Sequence, residues 1–173
     1  MIKLNLGCGP HLLAGWDNYD FEAHPGVIQC DLSRGVLPYE ANTVDFVFSE
    51  HFIEHITKAQ FTVLLKEVKR VLKPGGVFRV STPNLKVLAK DYLDGKFDRW
   101  KDVWYPESPC ALLNGGMRLW GHQYLYDYAE LVDLTIKAGL SWQVVTHRSS
   151  NHPELRNLEV RPYFEDLILE LIK

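Results

Sequence analysis

Residues 2–20 read IKLNLGCGPHLLAGWDNYD, and this stretch decides the fold. The apolar alternation over 2–6 predicts a strand, and Gly-Cys-Gly-Pro at 7–10 ends it in a turn. Glycine in such a turn lets the main chain approach a ligand, because it lacks Cβ and adopts φ values that other residues avoid. Residues 16–20 predict a second short strand that carries the Asp20 carboxylate to its end. A carboxylate there can accept hydrogen bonds from the two hydroxyls of a ribose, so the stretch predicts a nucleotide-binding edge.

The length and charge of the chain limit the number of domains and the classes of ligand that we expect. The 173 residues suit one domain with a single core, and the net charge of -3 provides no positive field for a nucleic acid. The three cysteines are odd in number, which favours reduced thiols in a cytoplasmic protein. We find no signal-peptide pattern and no apolar run long enough for a membrane span, and therefore expect a cytoplasmic location.

The middle of the chain predicts a parallel α/β arrangement. Residues 27–30 and 44–49 have strand composition, and Thr57-x-x-Gln60 is the capping box of an amphipathic helix that Pro-Gly-Gly at 74–76 should end. Residues 77–81 predict the next strand. A strand, a helix and a strand in this order form a βαβ unit with a right-handed crossover.

The second half predicts one more helix and two strands. Asp127-x-x-Glu130 begins the helix, Gly139 ends it, and residues 142–147 and 167–172 have strand composition. Residues 84–125 show no simple periodicity and are rich in tryptophan. We interpret this segment as a long irregular loop that forms an acceptor-binding lid, with a satellite core cluster as the alternative.

Several motifs in order carry a family resemblance. They are LNLGCG, then NYDFE, CDL at 30–32, DFVFSEHFIEH at 45–55 and RVLKPGGVFRVSTPN at 70–84. The chain resembles the class I S-adenosylmethionine-dependent methyltransferases, and it looks most similar to small bacterial members associated with surface-polysaccharide biosynthesis. The resemblance implies a single domain over 1–173 with a Rossmann-like α/β sheet, mostly parallel and ending in an antiparallel hairpin. Asn5 stands where the family commonly has an acid, and the first connection is so short that its helix should be reduced to about a turn.

The resemblance implies S-adenosylmethionine as the cofactor and a set of residues to bind it. These are Asn5, Gly7, Cys8, Gly9, Asp20, Phe21, Asp31, Leu32 and Ser49. Asp31 would contact the adenine amine, although a turn aspartate is the alternative interpretation. His51 is predicted as the general base, with His122 as its competitor. The predicted acceptor contacts are His55, Trp104, Arg118, Trp120 and His122.

The predicted activity is methyl transfer to oxygen of a small or carbohydrate-like acceptor. Two alternatives remain: a cofactor-binding protein without catalysis, and a zinc peptidase using His51-x-x-Glu54-His55. The peptidase is disfavoured because Thr57 begins a new helix before the motif could occupy a long one. We therefore expect no metal, and activity that survives chelation. The acceptor, the atom methylated and the oligomeric state stay open at this stage.

Overall fold

The computed structural model describes residues 1–161 and 167–173, and its centre is one seven-stranded sheet. The strand order is β3-β2-β1-β4-β5-β7-β6. The strands are β1 Lys3–Leu6, β2 Asp17–Asp20, β3 Ile28–Gln29, β4 Val44–Glu50, β5 Leu72–Thr82, β6 Ser141–Val144 and β7 Leu167–Ile172. The first five run parallel, while β7 pairs antiparallel with both β5 and β6. The predicted mostly parallel sheet with a C-terminal antiparallel hairpin is confirmed.

Four α-helices accompany the sheet: α1 Lys58–Val71, α2 Leu85–Asp94, α3 Pro109–Arg118 and α4 Tyr128–Ala138. Helix α1 has the predicted capping box, in which Thr57 and Gln60 exchange hydrogen bonds. Asp127 caps α4, and Gly139 ends it in the left-handed conformation, as predicted. The prediction of a long irregular loop over 84–125 is wrong, because α2, α3 and short 3-10 turns occupy much of it.

Two boundaries also differ from the prediction. Strand β5 begins at Leu72, directly after α1, because Leu72 already pairs with Val44 before a bulge. Gly75 and Gly76 therefore lie within the strand, where they exchange backbone hydrogen bonds with Lys173. Strand β6 ends at Val144, earlier than predicted.

The connection from β1 to β2, residues 7–16, contains hydrogen-bonded turns and no helix, so the first helix is reduced, as predicted. Side-chain amides hold this connection in place. Asn5 donates to the His11 carbonyl and to Asn18 Oδ1, at 3.0 and 2.9 Å. Asn18 in turn accepts from the Leu13 amide and donates to two carbonyls of the same loop. We call this pair of asparagines the Asn5–Asn18 clasp.

The main core lies where α1 and α4 cover the sheet, around Leu4, Val47, Phe61, Phe78 and Leu131. A smaller apolar cluster forms under α2 and α3 from Leu88, Trp100, Leu112 and Leu125. This second cluster matches the alternative interpretation of residues 84–125. In the described residues, no helix is both long and apolar enough to span a bilayer.

A buried ion cluster joins the far side of the sheet to the chain that follows β6. Arg79 of β5 is fully buried and contacts Glu159 at 2.5 Å and Glu170 of β7 at 2.9 Å. Its guanidinium also donates to the carbonyls of Ser149 and Thr146. The cluster therefore holds the segment 146–159 against β5 and β7.

Candidate active site

The glycine turn after β1 is bound to the end of β2. The amides of Gly7 and Cys8 both donate to the Tyr19 carbonyl, at 2.9 and 3.0 Å. The Gly9 amide donates to Asp20 Oδ2 at 2.7 Å. Gly7 and Gly9 have φ of +69° and +50°, which explains why glycine occupies both positions. The turn and the carboxylate thus form one rigid unit.

Asp20 keeps the capacity to bind a ligand. Besides the Gly9 amide, its carboxylate accepts the Glu22 amide through Oδ1 at 3.1 Å. An ionised carboxylate offers about four lone-pair positions, so two backbone bonds leave room for two ribose hydroxyls. The neighbouring Phe21 is 69% exposed and presents a free ring face beside Asp20. Both features fit an adenosyl group.

A cavity of about 120 Å³ opens beside the glycine turn. Its walls include Asn5, Gly7, Cys8, Gly9, His11, Phe48, Glu50, Leu158, Val160 and Arg161. A Cβ built on Gly9 would meet no atom within 4 Å, so the space in front of this glycine is open. The turn therefore has the open face that a closely bound cofactor requires. The cavity encloses only part of such a molecule, and the remainder would lie along the Asp20 edge.

The other predicted cofactor residues differ in their surroundings. Asp31 caps a 3-10 turn by accepting the Ser33 amide at 3.2 Å, and its Oδ1 also accepts from Ser33 Oγ at 2.5 Å, a hydrogen bond that lowers the pKa of its carboxyl. Leu32 and Ser49 are buried and are not among the residues that line the two cavities. Burial raises the pKa of the Cys8 thiol to about 11, so it stays protonated at neutral pH.

A second, larger cavity of about 260 Å³ lies between the carboxyl ends of β4 and β5 and the helices α2 and α3. We call it the aromatic cavity. Its lining residues are His51, Glu54, His55, Pro83, Asn84, Leu88, Trp100, Val103, Trp104, Gly116, Trp120, His122, Leu125 and Arg161. The cavity thus brings together five of the predicted catalytic and acceptor residues, namely His51, His55, Trp104, Trp120 and His122.

His51 directly follows the carboxyl end of β4 and has a strained backbone conformation. Its φ is +50°, a conformation that non-glycine residues adopt at a cost and that concentrates at functional sites. Its Nδ1 atom lies 3.5 Å from Oε1 of the fully buried Glu54. A carboxylate at this distance can form an ion pair with an imidazolium ring.

A series of rings continues from His51 along the cavity wall. The His55 and His122 rings lie 4.9 Å apart, His122 and Trp120 5.5 Å, and Trp120 and Trp104 5.2 Å. Burial lowers the pKa of His55, and His122 adds to this effect while Glu54 opposes it. His55 is therefore a neutral imidazole at neutral pH.

Sequence reasoning missed some residues that the fold brings to the site. Arg118 is exposed and does not belong to the cavity lining, whereas Arg161 lines both cavities. Glu50, next to His51, faces the glycine-turn cavity and accepts the amides of Val160 and Arg161. Strand alternation could have indicated Glu50 in place of Ser49, but no local pattern marks Arg161.

Comparisons with known proteins agree with this geometry. A family described as "Methyltransferase domain" matches residues 8–80, which include Gly9, Asp20 and His51. A SAM-dependent methyltransferase from Archaeoglobus fulgidus is similar in structure, with a TM-score of 0.60 and 15% identity over 99% of this chain and 85% of that one. A second, from Mesorhizobium loti, gives 0.59 and 16% over 99% and 90%. No curated protein matches significantly.

At such identities the structural likeness shows the fold, which is that of the Rossmann-like methyltransferases. The family match, over residues 8–80, adds the description of a methyltransferase domain. Together they support a SAM-dependent methyltransferase, with S-adenosylmethionine as its cofactor.

Proposed function

We propose that the chain transfers a methyl group from S-adenosylmethionine to an oxygen of a small or carbohydrate-like acceptor in the aromatic cavity. One observation carries the proposal. Glu50 and His51 are consecutive, yet Glu50 lines the glycine-turn cavity and His51 lines the aromatic cavity, while Arg161 lines both. A donor in the first cavity and an acceptor in the second would therefore meet beside His51.

The residues of the chain have three tasks in this reaction. When bound, the cofactor supplies a sulfonium methyl group that is already activated for displacement. The glycine turn and Asp20 would hold the adenosyl part, with Phe21 against the adenine. The aromatic walls exclude water and align the acceptor. His51 would take the hydroxyl proton as the new bond forms.

The chemistry of the aromatic cavity favours a sugar-like acceptor. Trp104 and Trp120 offer ring faces suited to the apolar face of a sugar, and His122, Asn84 and Arg161 provide polar groups at its edges. A cytoplasmic reaction on a precursor of a surface polysaccharide is consistent with this set. The low net charge of -3 offers nothing to attract a nucleic acid.

Labelled methyl transfer tests the proposal. Purified protein with radiolabelled S-adenosylmethionine would be screened against sugars, sugar nucleotides, lipids and small acids. We expect transfer to a hydroxyl of a carbohydrate-like compound. Cofactor binding without transfer to any acceptor class would favour the binding-protein alternative, and transfer to nitrogen would contradict the oxygen assignment.

A pair of aromatic variants tests where the acceptor binds. Trp120 is 52% exposed and lines the aromatic cavity, whereas Tyr105 is 77% exposed in the same segment and does not. Trp120→Ala should raise the KM for the acceptor about tenfold, since stacking contributes about 1 kcal/mol or more. Tyr105→Ala should leave it unchanged. Loss of cofactor affinity in Trp120→Ala would place this residue in the cofactor site instead.

A further inference from the structure

Three side chains from two distant segments meet on the wall of the aromatic cavity. Glu54 and His55 follow β4, and His122 follows α3. One possible ligand atom from each residue lies within 4.8 Å of the other two. The backbone holds the segments together, because the amides of Gln123 and Tyr124 both donate to the Glu54 carbonyl. The fold therefore creates this cluster, and no contiguous motif contains it.

Glu54 is the observation that points to a cation. Its side chain is fully buried, and Oε2 accepts a hydrogen bond from Thr82 Oγ1 at 2.9 Å. Over residues 1–161 and 167–173, Oε1 finds no hydrogen-bond partner. Nitrogens close to it include His51 Nδ1 at 3.5 Å and Nε2 of the neutral His55 ring at 4.0 Å. Burying a carboxylate without a partner costs free energy, so a cation next to Oε1 would stabilise the folded protein.

The His122 ring is held as a ligand would be. Its Nδ1 atom lies 2.8 Å from the Gly116 carbonyl, which can only accept, so the proton resides on Nδ1 and the lone pair on Nε2. Metal-binding histidines are usually fixed in this way, with the second nitrogen donating to a backbone carbonyl or a carboxylate.

From this geometry we propose that Glu54, His55 and His122 bind one divalent transition-metal ion, with zinc as the best match. Two imidazoles and a carboxylate are ligands that zinc prefers, and magnesium or calcium would require more oxygens. Metal–ligand bonds of about 2.0 to 2.2 Å place ligand atoms about 3.3 to 3.6 Å apart in a tetrahedron. Closing His55 Nε2 onto Glu54 Oε1 from 4.0 Å therefore needs small side-chain rotations.

This site differs from the peptidase motif that the sequence suggested. In that motif His51 and His55 would share one face of a long helix, but here residues 53–55 form a 3-10 turn. The third ligand comes from His122 instead, 67 residues beyond His55. The expectation of a metal-independent enzyme was based on the His51-Glu54-His55 motif alone. The proposed site uses a different set of ligands.

Three protein ligands leave one coordination position for a substrate or water. Since all three residues line the aromatic cavity, an acceptor hydroxyl could occupy that position. Coordination would lower the pKa of the hydroxyl and help His51 to remove its proton. This role rests on the proposed function, whereas binding of the ion does not.

Zinc titration of metal-free protein tests the site. Calorimetry should give one zinc ion per chain in the wild type, and His122→Ala should weaken its affinity at least about 100-fold. The matched control is His24→Ala, because His24 also lies beside a glutamate, Glu22, but is exposed and outside both cavities. The visible absorption of bound cobalt would report whether the site is tetrahedral. Thermal unfolding with and without zinc confirms that each variant is folded, since an ion bound to the native state raises Tm.

The outcomes separate the two proposals. Equal zinc affinity in the wild type and His122→Ala, or no binding in the wild type, would overturn the metal site and leave Glu54 paired with an imidazolium. S-adenosylmethionine affinity of the metal-free protein, measured in parallel, tests the cofactor site alone. If zinc binds as expected, chelation should lower acceptor methylation while cofactor affinity stays unchanged, and methylation unaffected by chelation would remove the catalytic role.

Discussion

Asp20 is the residue on which the cofactor assignment depends most. Its carboxylate is fixed by the amides of Gly9 and Glu22 and retains lone pairs for a ribose. We expect Asp20→Ala to weaken S-adenosylmethionine binding about 10- to 100-fold, because each hydrogen bond to a charged group contributes about 1.5 to 3 kcal/mol. Titration calorimetry would measure the change. Glu22→Ala is the control, and unchanged affinity in a folded Asp20→Ala protein would exclude Asp20 from the site.

His51 is the residue on which the mechanism depends. A positioned base contributes about 10²- to 10⁴-fold to the rate, so His51→Ala should lower kcat by that order and leave cofactor affinity intact. The wild type should also lose activity as the pH falls through the range where an imidazole, with an ordinary pKa near 6.5, becomes protonated. The variant should lack this acidic limb.

His152 provides the comparison for His51. It contacts the Phe46 ring at 5.5 Å and is absent from both cavity linings, so His152→Ala should keep both kcat and the pH profile. A normal kcat in His51→Ala with the acidic limb preserved would transfer the role to another group, with His122 the first candidate.

At the scale of elements, one added methyl group should have different effects at Gly7 and at Gly9 of the glycine turn. A Cβ on Gly7 would come within 2.3 Å of the Phe52 ring, whereas a Cβ on Gly9 would meet nothing within 4 Å. Both positions have positive φ, which costs an L-residue about 1 to 2 kcal/mol. Gly7→Ala should therefore lower the free energy of unfolding by a further 1 to 3 kcal/mol or so, owing to overpacking.

Gly9→Ala should instead affect binding more than folding. Its new methyl group would occupy the space that the cofactor needs, and we expect at least about a tenfold loss of S-adenosylmethionine affinity. Denaturant unfolding and calorimetry on the two variants would distinguish these effects. Equal losses of stability with no difference in affinity would mean that the turn serves the fold alone.

The sequence predicted the sheet, α1 and α4 well because each of these elements has a strong local signal. Thr57 with Gln60 and Asp127 with Gly139 mark the ends of their helices before any tertiary contact forms. Helices α2 and α3 have end signals too, since Asn84 and Gly95 bound α2 and Ser108 with Pro109 begins α3, but the prediction of an irregular loop overlooked them. Helix α3 even contains Gly115 and Gly116, which normally weaken a helix, but here they allow Trp104 and Leu88 to pack closely against it. Tertiary packing, which no local pattern records, stabilises this helix.

Some residues of the candidate site were likewise predictable from the sequence, and others were not. The proximity of Gly9 and Asp20 was predictable because both residues lie at or just beyond the ends of neighbouring strands that are close in sequence. His122 and Arg161 reach the aromatic cavity through long-range packing, so the sequence could indicate their chemistry but not which partners they meet. Nothing in the sequence around Glu54 indicates that its carboxylate would be buried.

At the scale of the whole molecule, the Arg79 cluster connects the sheet to the chain that covers the glycine-turn cavity. Arg79→Met would leave Glu159 and Glu170 buried without their cation, which should lower the free energy of unfolding by about 3 to 5 kcal/mol. Denaturant unfolding measures this. Adding Glu159→Gln and Glu170→Gln should recover much of the loss, because neutral partners no longer require a buried charge.

A surface pair provides the reference for this prediction. Lys137 and Asp133 form an exposed contact at 2.6 Å on α4, and Lys137→Met should change stability by less than about 1 kcal/mol. A similarly small effect of Arg79→Met would show that the cluster contributes little to the fold. Cofactor affinity of Arg79→Met should also fall, because Leu158 and Val160, on either side of Glu159, line the cavity.

The missing helix between β1 and β2 has a consequence for ligand discrimination. Nucleotide-binding loops that lead into a helix hold phosphate with the positive end of that helix. Here the Asn5–Asn18 clasp carries the chain through turns, so no helix begins at the glycine turn. S-adenosylmethionine has no phosphate and loses nothing. A phosphorylated adenine nucleotide would find no such anchor, so we expect the shortened crossover to give its phosphates no advantage over plain adenosine.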